Sequence, residues 1–166
     1  EQARKEAEEK IREAISSSSL TIIGSILYGK DCTYQAVEEL RKQKLYQEAD
    51  MVFAVGGGKA LDTCKCLCIE EEKPIFTFPT IASNCAACTS VSIMYHEDGT
   101  FLKPHFFLHP PKHAFINTEV MAHAPERYLW AGIGDTYAKY YEAKISSRGE
   151  QLEPFTALGG AVSQLC

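Results

Sequence analysis

A short apolar run, Met51 to Val55, ends in Gly56-Gly57-Gly58 and passes at once into a helical pattern that begins Lys59-Ala60-Leu61-Asp62. Backbone without Cβ atoms lets peptide amides approach an anion, and the N-terminus of the helix adds partial positive charge. A phosphate is the natural guest of such a turn. Two familiar phosphate loops fail on residue identity. A Walker A loop needs Ser or Thr after Gly-Lys, where Ala60 stands, and the GxGxxG pattern needs Gly where Leu61 stands. The reading without a ligand is a tight strand–helix connection.

The flanking segments repeat the alternation. Ala3, Ala7, Ile11, Ala14 and Ile15 fall at helical spacing and predict a helix over 2–16. Leu20 to Tyr28 is β-rich and predicts a buried strand, and 33–47 a helix with Val37, Leu40 and Leu45 as its stripe. Helix is expected over 59–71, and Pro74 opens a strand over 75–78. Strand–helix–strand–helix–strand predicts an α/β fold with a parallel sheet and helices on its faces. Continuously apolar strands are what such a doubly covered sheet requires. Ser90–His96 and Phe101–Leu108 flank Asp98-Gly99 and read as a hairpin, and Ala114–Asn117 as one more short strand. From Glu126 to Ser147 runs a long helical pattern carrying Leu129, Ile133, Tyr137, Tyr140 and Tyr141, so a domain boundary is expected near 124. Beyond it the chain passes Gly159-Gly160 with no helical cap in view.

Composition excludes some functions. The net charge of −5 argues against a nucleic-acid or anionic-membrane footprint, which needs clustered Lys and Arg. No apolar run approaches the roughly 18 residues of a membrane span. Seven cysteines are an odd number, and three of them alternate at 64, 66 and 68, a poor disulfide framework. With no secretory segment at the N-terminus, reduced thiols and a cytoplasmic location are expected.

Three further features could carry chemistry. Phe78 to Thr89 follows a strand and is built from small and hydroxyl residues, at the place where open α/β sheets bind ligands. Thr80, Ser83 and Thr89 are candidate donors to a ribose or diphosphate, and Cys85 and Cys88 form a lone CxxC without a second pair to complete a zinc site. His105, His109 and His113 are four apart, but Pro104, Pro110 and Pro111 argue against a helix that would align them. Asp135 follows Gly132 and Gly134 inside the long helix, where each glycine costs about 1 kcal/mol relative to Ala. Close packing or an approaching ligand would explain the glycines, and a metal ion or a salt bridge would explain the carboxylate.

Taken together, GGGKALDTCK at 56–65, PTIAS at 79–83, SVSIMYHEDGTF at 90–101, INTEVMAHAPERYL at 116–129 and AGIGDTYAKYYEA at 131–143 resemble the iron-containing alcohol dehydrogenase family, in its glycerol dehydrogenase-like branch. The resemblance implies a dehydroquinate-synthase-like, Rossmann-type α/β domain followed by an all-helical domain, with a divalent metal, zinc or iron, in the cleft between them. Residues 1–124 would be the NAD-binding domain and 125–166 the beginning of the helical metal-binding domain. Carried over, Gly57, Gly58 and Lys59 would hold the NAD diphosphate. Thr80, Ser83, Thr89, Val91 and Tyr95 would line the cofactor, and Asp135 would bind the metal. The implied partner is a small alcohol or polyol, and the implied full-length protein a homo-oligomer. Cys85 stands where the glycerol branch places an Asp beside the substrate. The family's two metal-binding histidines lie downstream and its first strand precedes Glu1, so an interior fragment without a convincing catalytic base is expected. The alternatives are nucleotide binding without turnover, or a sister activity of the glycerol-phosphate dehydrogenase or dehydroquinate-synthase kind.

Overall fold

The computed structural model describes the backbone of residues 2–165 and the side chains of residues 5–165. Glu1, Cys166 and the Ala3 side chain of the expected helical stripe lie outside them. The described chain divides into two compact units. The first runs to Ile81 and takes in Cys85–Ala124; the second comprises Ala82–Asn84 and the segment from Pro125 onward.

The first unit begins with α1 (Gln2–Ile15), whose Ala7 and Ile11 are buried one turn apart. α2 (Tyr34–Arg41) starts at Thr33, whose Oγ1 accepts the Ala36 N–H at 3.0 Å. The expected helix over 33–47 is broken at Lys42-Gln43, and α3 (Lys44–Glu48) follows. The break turns Tyr46 into the core, where its hydroxyl donates to Leu67 O at 2.8 Å and lies 2.7 Å from Glu71 Oε2.

Strands β1 (Val52–Gly56) and β2 (Ile75–Pro79) pair in parallel, Val52 beside Ile75 and Gly56 beside Pro79. The crossover between them is α4 (Gly58–Cys68). Residues 90–108 form the expected hairpin, β3 (Val91–Tyr95) antiparallel to β4 (Phe101–Phe106), as a separate two-stranded sheet. Gly99 takes the left-handed conformation its turn requires (φ 83°), and Asp98 Oδ1 accepts the Thr100 N–H at 2.9 Å. β5 (His113–Ala114) adds in parallel to the other edge of β2. It stops short of the expected Asn117, because Asn117 caps α5 (Thr118–Ala122), its Oδ1 accepting the Glu119 and Val120 amides.

One expectation fails outright. Residues 20–28 form no strand, and Leu20, Ile23, Ile26 and Leu27 are exposed. Among the described residues β1 pairs only with β2, so this segment has no ladder partner; apolar β-branched composition does not replace one. The sheet also differs from continuous burial on both faces. β2 alternates buried and half-buried residues, with Phe53, Phe76 and Phe78 half-buried on the less covered face. The core joins Val37, Leu40, Tyr46, Ala54, Leu61, Leu67 and Ile75 with the sulfurs of Cys32, Cys66, Cys68 and Met94.

In the second unit α6 (Glu126–Ser146) packs against α7 (Pro154–Leu165). The expected apolar stripe of α6 is not buried: Leu129, Ile133, Tyr137 and Tyr141 are exposed. α7 was not expected. Pro154 at its first position supplies the start signal. No described helix is long and apolar enough to cross a membrane.

Candidate functional site

The first turn of α4 is where the sheet and the glycines converge. Gly56 has φ 152°, a backbone that L side chains rarely adopt. Gly57 is the N-cap residue, and no side chain caps this end. The first-turn amides of α4 therefore have no helical partner. A Cβ on Gly57 would lie 2.7 Å from Ile81 Cδ1, so the glycine keeps the loop close to the segment after β2. The Thr80 N–H donates to Gly56 O at 3.1 Å, which joins the C-terminal ends of β1 and β2.

Lys59 reaches sideways from this turn. Its ammonium pairs with Asp31 and stands 4.9 Å from the centre of the Tyr95 ring. Hydrogen bonding to Lys59 holds the Asp31 carboxyl below the usual carboxylate range, and the same bond raises the Lys59 ammonium. The Tyr95 N–H donates to Cys32 O at 2.9 Å, so the end of β3 and the loop before α2 meet here as well. Gly57, Gly58, Lys59, Thr80 and Tyr95 are thus neighbours of one helix end.

Thr89 and Val91 gather farther along α4, around a residue the sequence reading passed over. Lys65 is wholly buried, with its Nζ 2.8 Å from Asp62 Oδ1, 2.5 Å from Val91 O and 3.3 Å from both Thr89 O and Thr89 Oγ1. Asp62 Oδ2 accepts the Ile93 N–H at 3.1 Å, and Ser92 Oγ donates to Asp62 O at 3.0 Å. This pair fastens the hairpin to α4. Its signal in the sequence was an Asp and a Lys three apart on a helix whose other neighbours are apolar. Cys85 and Cys88 are exposed, free thiols on a turn closed by the Cys88 N–H to Cys85 O at 3.1 Å.

In the second unit, α6 lies against Ala82–Asn84. A Cβ on Gly132 would fall 1.8 Å from Ala82 O and 3.4 Å from Ser83 Cα, so close packing accounts for this glycine. Nothing lies within 4 Å of the corresponding point on Gly134. Asp135, one turn beyond Gly132, pairs with Lys139 Nζ at 3.1 Å, and Lys139 also meets Glu142 at 3.1 Å. Among the described residues no three His, Cys, Asp or Glu side chains gather as metal ligands. The histidines stay apart: His105 meets Glu70 and Tyr34, His113 stacks on Phe76 and His123 meets Glu6.

The model of a family described as iron-containing alcohol dehydrogenase matches residues 2–117. A glycerol dehydrogenase of Thermotoga maritima is 36% identical over 129 residues, 78% of this chain and 35% of the relative. Hydroxycarboxylate dehydrogenase A of Escherichia coli is 36% identical over 131 residues, 79% of this chain and 36% of the relative. The crystal structure of glycerol dehydrogenase from Schizosaccharomyces pombe superposes with a TM-score of 0.78 at 30% identity, covering 95% of this chain and 41% of that one. The chain spans about a third of the length of these curated relatives.

Proposed function

The chain belongs to the iron-containing alcohol dehydrogenase family, and we propose that it forms the NAD-holding part of a dehydrogenase that oxidises a small alcohol or polyol. One observation carries the reading: α4 begins with an N-terminus that no side chain caps, behind glycines whose Cβ atoms would collide with their neighbours. This end suits the cofactor diphosphate. The amides of Gly58 and Lys59 and the helix dipole would take its charge. Lys59, already half exposed, would turn from Asp31 to a phosphate oxygen without leaving the surface. Thr80, Ser83, Thr89, Val91 and Tyr95 would line the rest of the cofactor. Bound NAD supplies the hydride acceptor, and the protein supplies position and electrostatics.

The substrate side is less complete in this chain. Cys85 would offer a thiol where a carboxylate would accept a substrate hydroxyl. Its relatives include both a glycerol dehydrogenase and a hydroxycarboxylate dehydrogenase, so the substrate class is small hydroxyl compounds. Asp135 would give a divalent metal, zinc or iron, one carboxylate. The described residues do not assemble a full ligand set around it.

Titration with NAD and NADH by calorimetry tests the reading. Binding is expected, weakened about tenfold or more by Lys59→Ala, the worth of one charge-assisted hydrogen bond. Binding that is absent, or unchanged in both Lys59→Ala and Gly57→Val, would overturn it. Alcohol-dependent NADH formation with added zinc then separates turnover from nucleotide binding alone.

A further inference from the structure

Three sulfur atoms meet in the core of the first unit. Cys32 precedes α2, Cys66 lies on α4 and Met94 on β3, with relative exposures of 0%, 2% and 0%. Both thiols aim at one thioether: Cys32 Sγ is 3.5 Å and Cys66 Sγ 3.3 Å from Met94 Sδ. The hydroxyls of Thr63 and Ser92 lie beside the thiols and are already engaged, donating to Lys59 O at 2.8 Å and Asp62 O at 3.0 Å. The nearest charged groups are Asp62 and Lys65, which are paired with each other at 2.8 Å.

Buried cysteines commonly pack as small hydrophobes. Here packing does not account for the convergence of three soft donors from three elements on one point. Those elements are held firmly, by the Tyr95 N–H to Cys32 O bond and by the Asp62–Lys65 pair that joins α4 to β3. Two thiols and a thioether converging on one point match a soft monovalent cation. Zinc would need four ligands drawn from thiolate, imidazole and carboxylate. With sulfur–metal bonds of about 2.3 Å, as at a zinc thiolate, a trigonal site spaces its sulfurs about 4.0 Å apart. The observed contacts would each open by about 0.5–0.7 Å, which the three rotatable bonds of methionine permit.

We propose that Cys32, Cys66 and Met94 form a binding site for a soft monovalent metal ion of the Cu(I) class. Binding is an exchange without electron transfer: Cu(I) plus two Cys–SH and the Met thioether gives the three-sulfur complex and two released protons. The metal would brace the loop that carries Asp31 against α4, which carries Lys59, and so fix both partners of the pair beside the proposed diphosphate site. The metal site itself does not depend on that function.

The test is an anaerobic titration of the full chain with Cu(I) against bicinchoninate, read by native mass spectrometry and the ultraviolet thiolate-to-metal band. Cys85, Cys88 and Cys166 are replaced by Ala throughout, since the exposed CxxC could take Cu(I) by itself. One Cu(I) per chain is expected, lost in Cys66→Ala, unchanged in Cys64→Ala and weakened at least tenfold in Met94→Leu. That last substitution conserves volume and removes only the thioether, so its circular dichroism should match the parent. A chain that yields all its Cu(I) to the chelator refutes the site, as does one whose uptake is the same with and without the Cys66 thiol and the Met94 thioether.

Discussion

Lys65→Met puts the organisation of the site to its hardest test. The substitution keeps the buried stem and removes the ammonium, which pairs with Asp62 Oδ1 at 2.8 Å and contacts Val91 O at 2.5 Å. Asp62 is left as a buried carboxylate with its other oxygen still accepting the Ile93 N–H. Breaking a buried pair on one side costs about 3–5 kcal/mol. Against a total stability of about 5–15 kcal/mol, that is a large fraction, equivalent to a factor of 100 or more in the folded population. Urea unfolding followed by far-ultraviolet circular dichroism measures it. The double variant Lys65→Met/Asp62→Asn removes the orphaned charge and keeps an acceptor for Ile93, so it should recover at least about 1.5 kcal/mol relative to Lys65→Met. Because β3 is held at Val91 and Ile93 by this pair, NAD affinity should fall in the single variant and return in part in the double. A cost below 1 kcal/mol for Lys65→Met, or strict additivity in the cycle, would refute the view that the pair anchors the hairpin.

Gly132→Ala places a methyl into the Ala82 carbonyl and should destabilise the packing of α6 by more than about 2 kcal/mol, whereas Gly134→Ala meets open space and should stabilise the helix by about 0.5–1 kcal/mol; thermal melts of the two variants check the contrast. Burial pushes the Cys64 thiol up to about 12 and raises Cys68 as well, so the folded state favours their protonated forms. That contribution is complete below pH 9 and is lost as pH rises toward 12, so the thermal midpoint should fall over this range, and less steeply in Cys68→Ala. Asp31→Asn removes the surface partner of Lys59 and frees its ammonium, so NAD should bind at least as tightly as to the parent; calorimetry that shows weaker binding would mean Asp31 positions Lys59 rather than competing with the phosphate.

Local signals carried the elements whose cause is local. Three glycines after an apolar pentad marked the β1–α4 turn, and Asp98-Gly99 marked the hairpin, because backbone conformation and turn chemistry write themselves into residue type. Where the outcome depends on a distant partner, the same signals misled. Leu20–Tyr28 has strand composition but meets no sheet edge among the described residues. The helix expected over 33–47 breaks because Tyr46 is drawn to Leu67 O and Glu71, 21 and 25 residues away. The apolar stripe of α6 predicted a helix correctly but not its exposure, since periodicity reports a face and not what covers it.

The site shows the same division. The start of α4 at Gly57-Gly58-Lys59 was legible because glycines directly after an apolar strand mark a tight turn into a helix. Thr89 was singled out as a hydroxyl donor in a small-residue loop and Val91 through the family resemblance, yet what holds their backbone is Lys65, a residue whose type gave no warning of burial. Lysine is read as solvated surface unless its partners are known, and apart from the Thr89 hydroxyl, Thr89 and Val91 supply carbonyls, which every residue has. A hydrogen bond from a side chain to a carbonyl therefore leaves no trace in the partner's identity. Asp62 was the one clue, a carboxylate three residues before Lys65 on a helix most of whose residues are buried. A charged pair at helical spacing inside an apolar face is thus better read as an anchor for whatever packs on that face, and here that is the strand ending in Tyr95 beside Lys59.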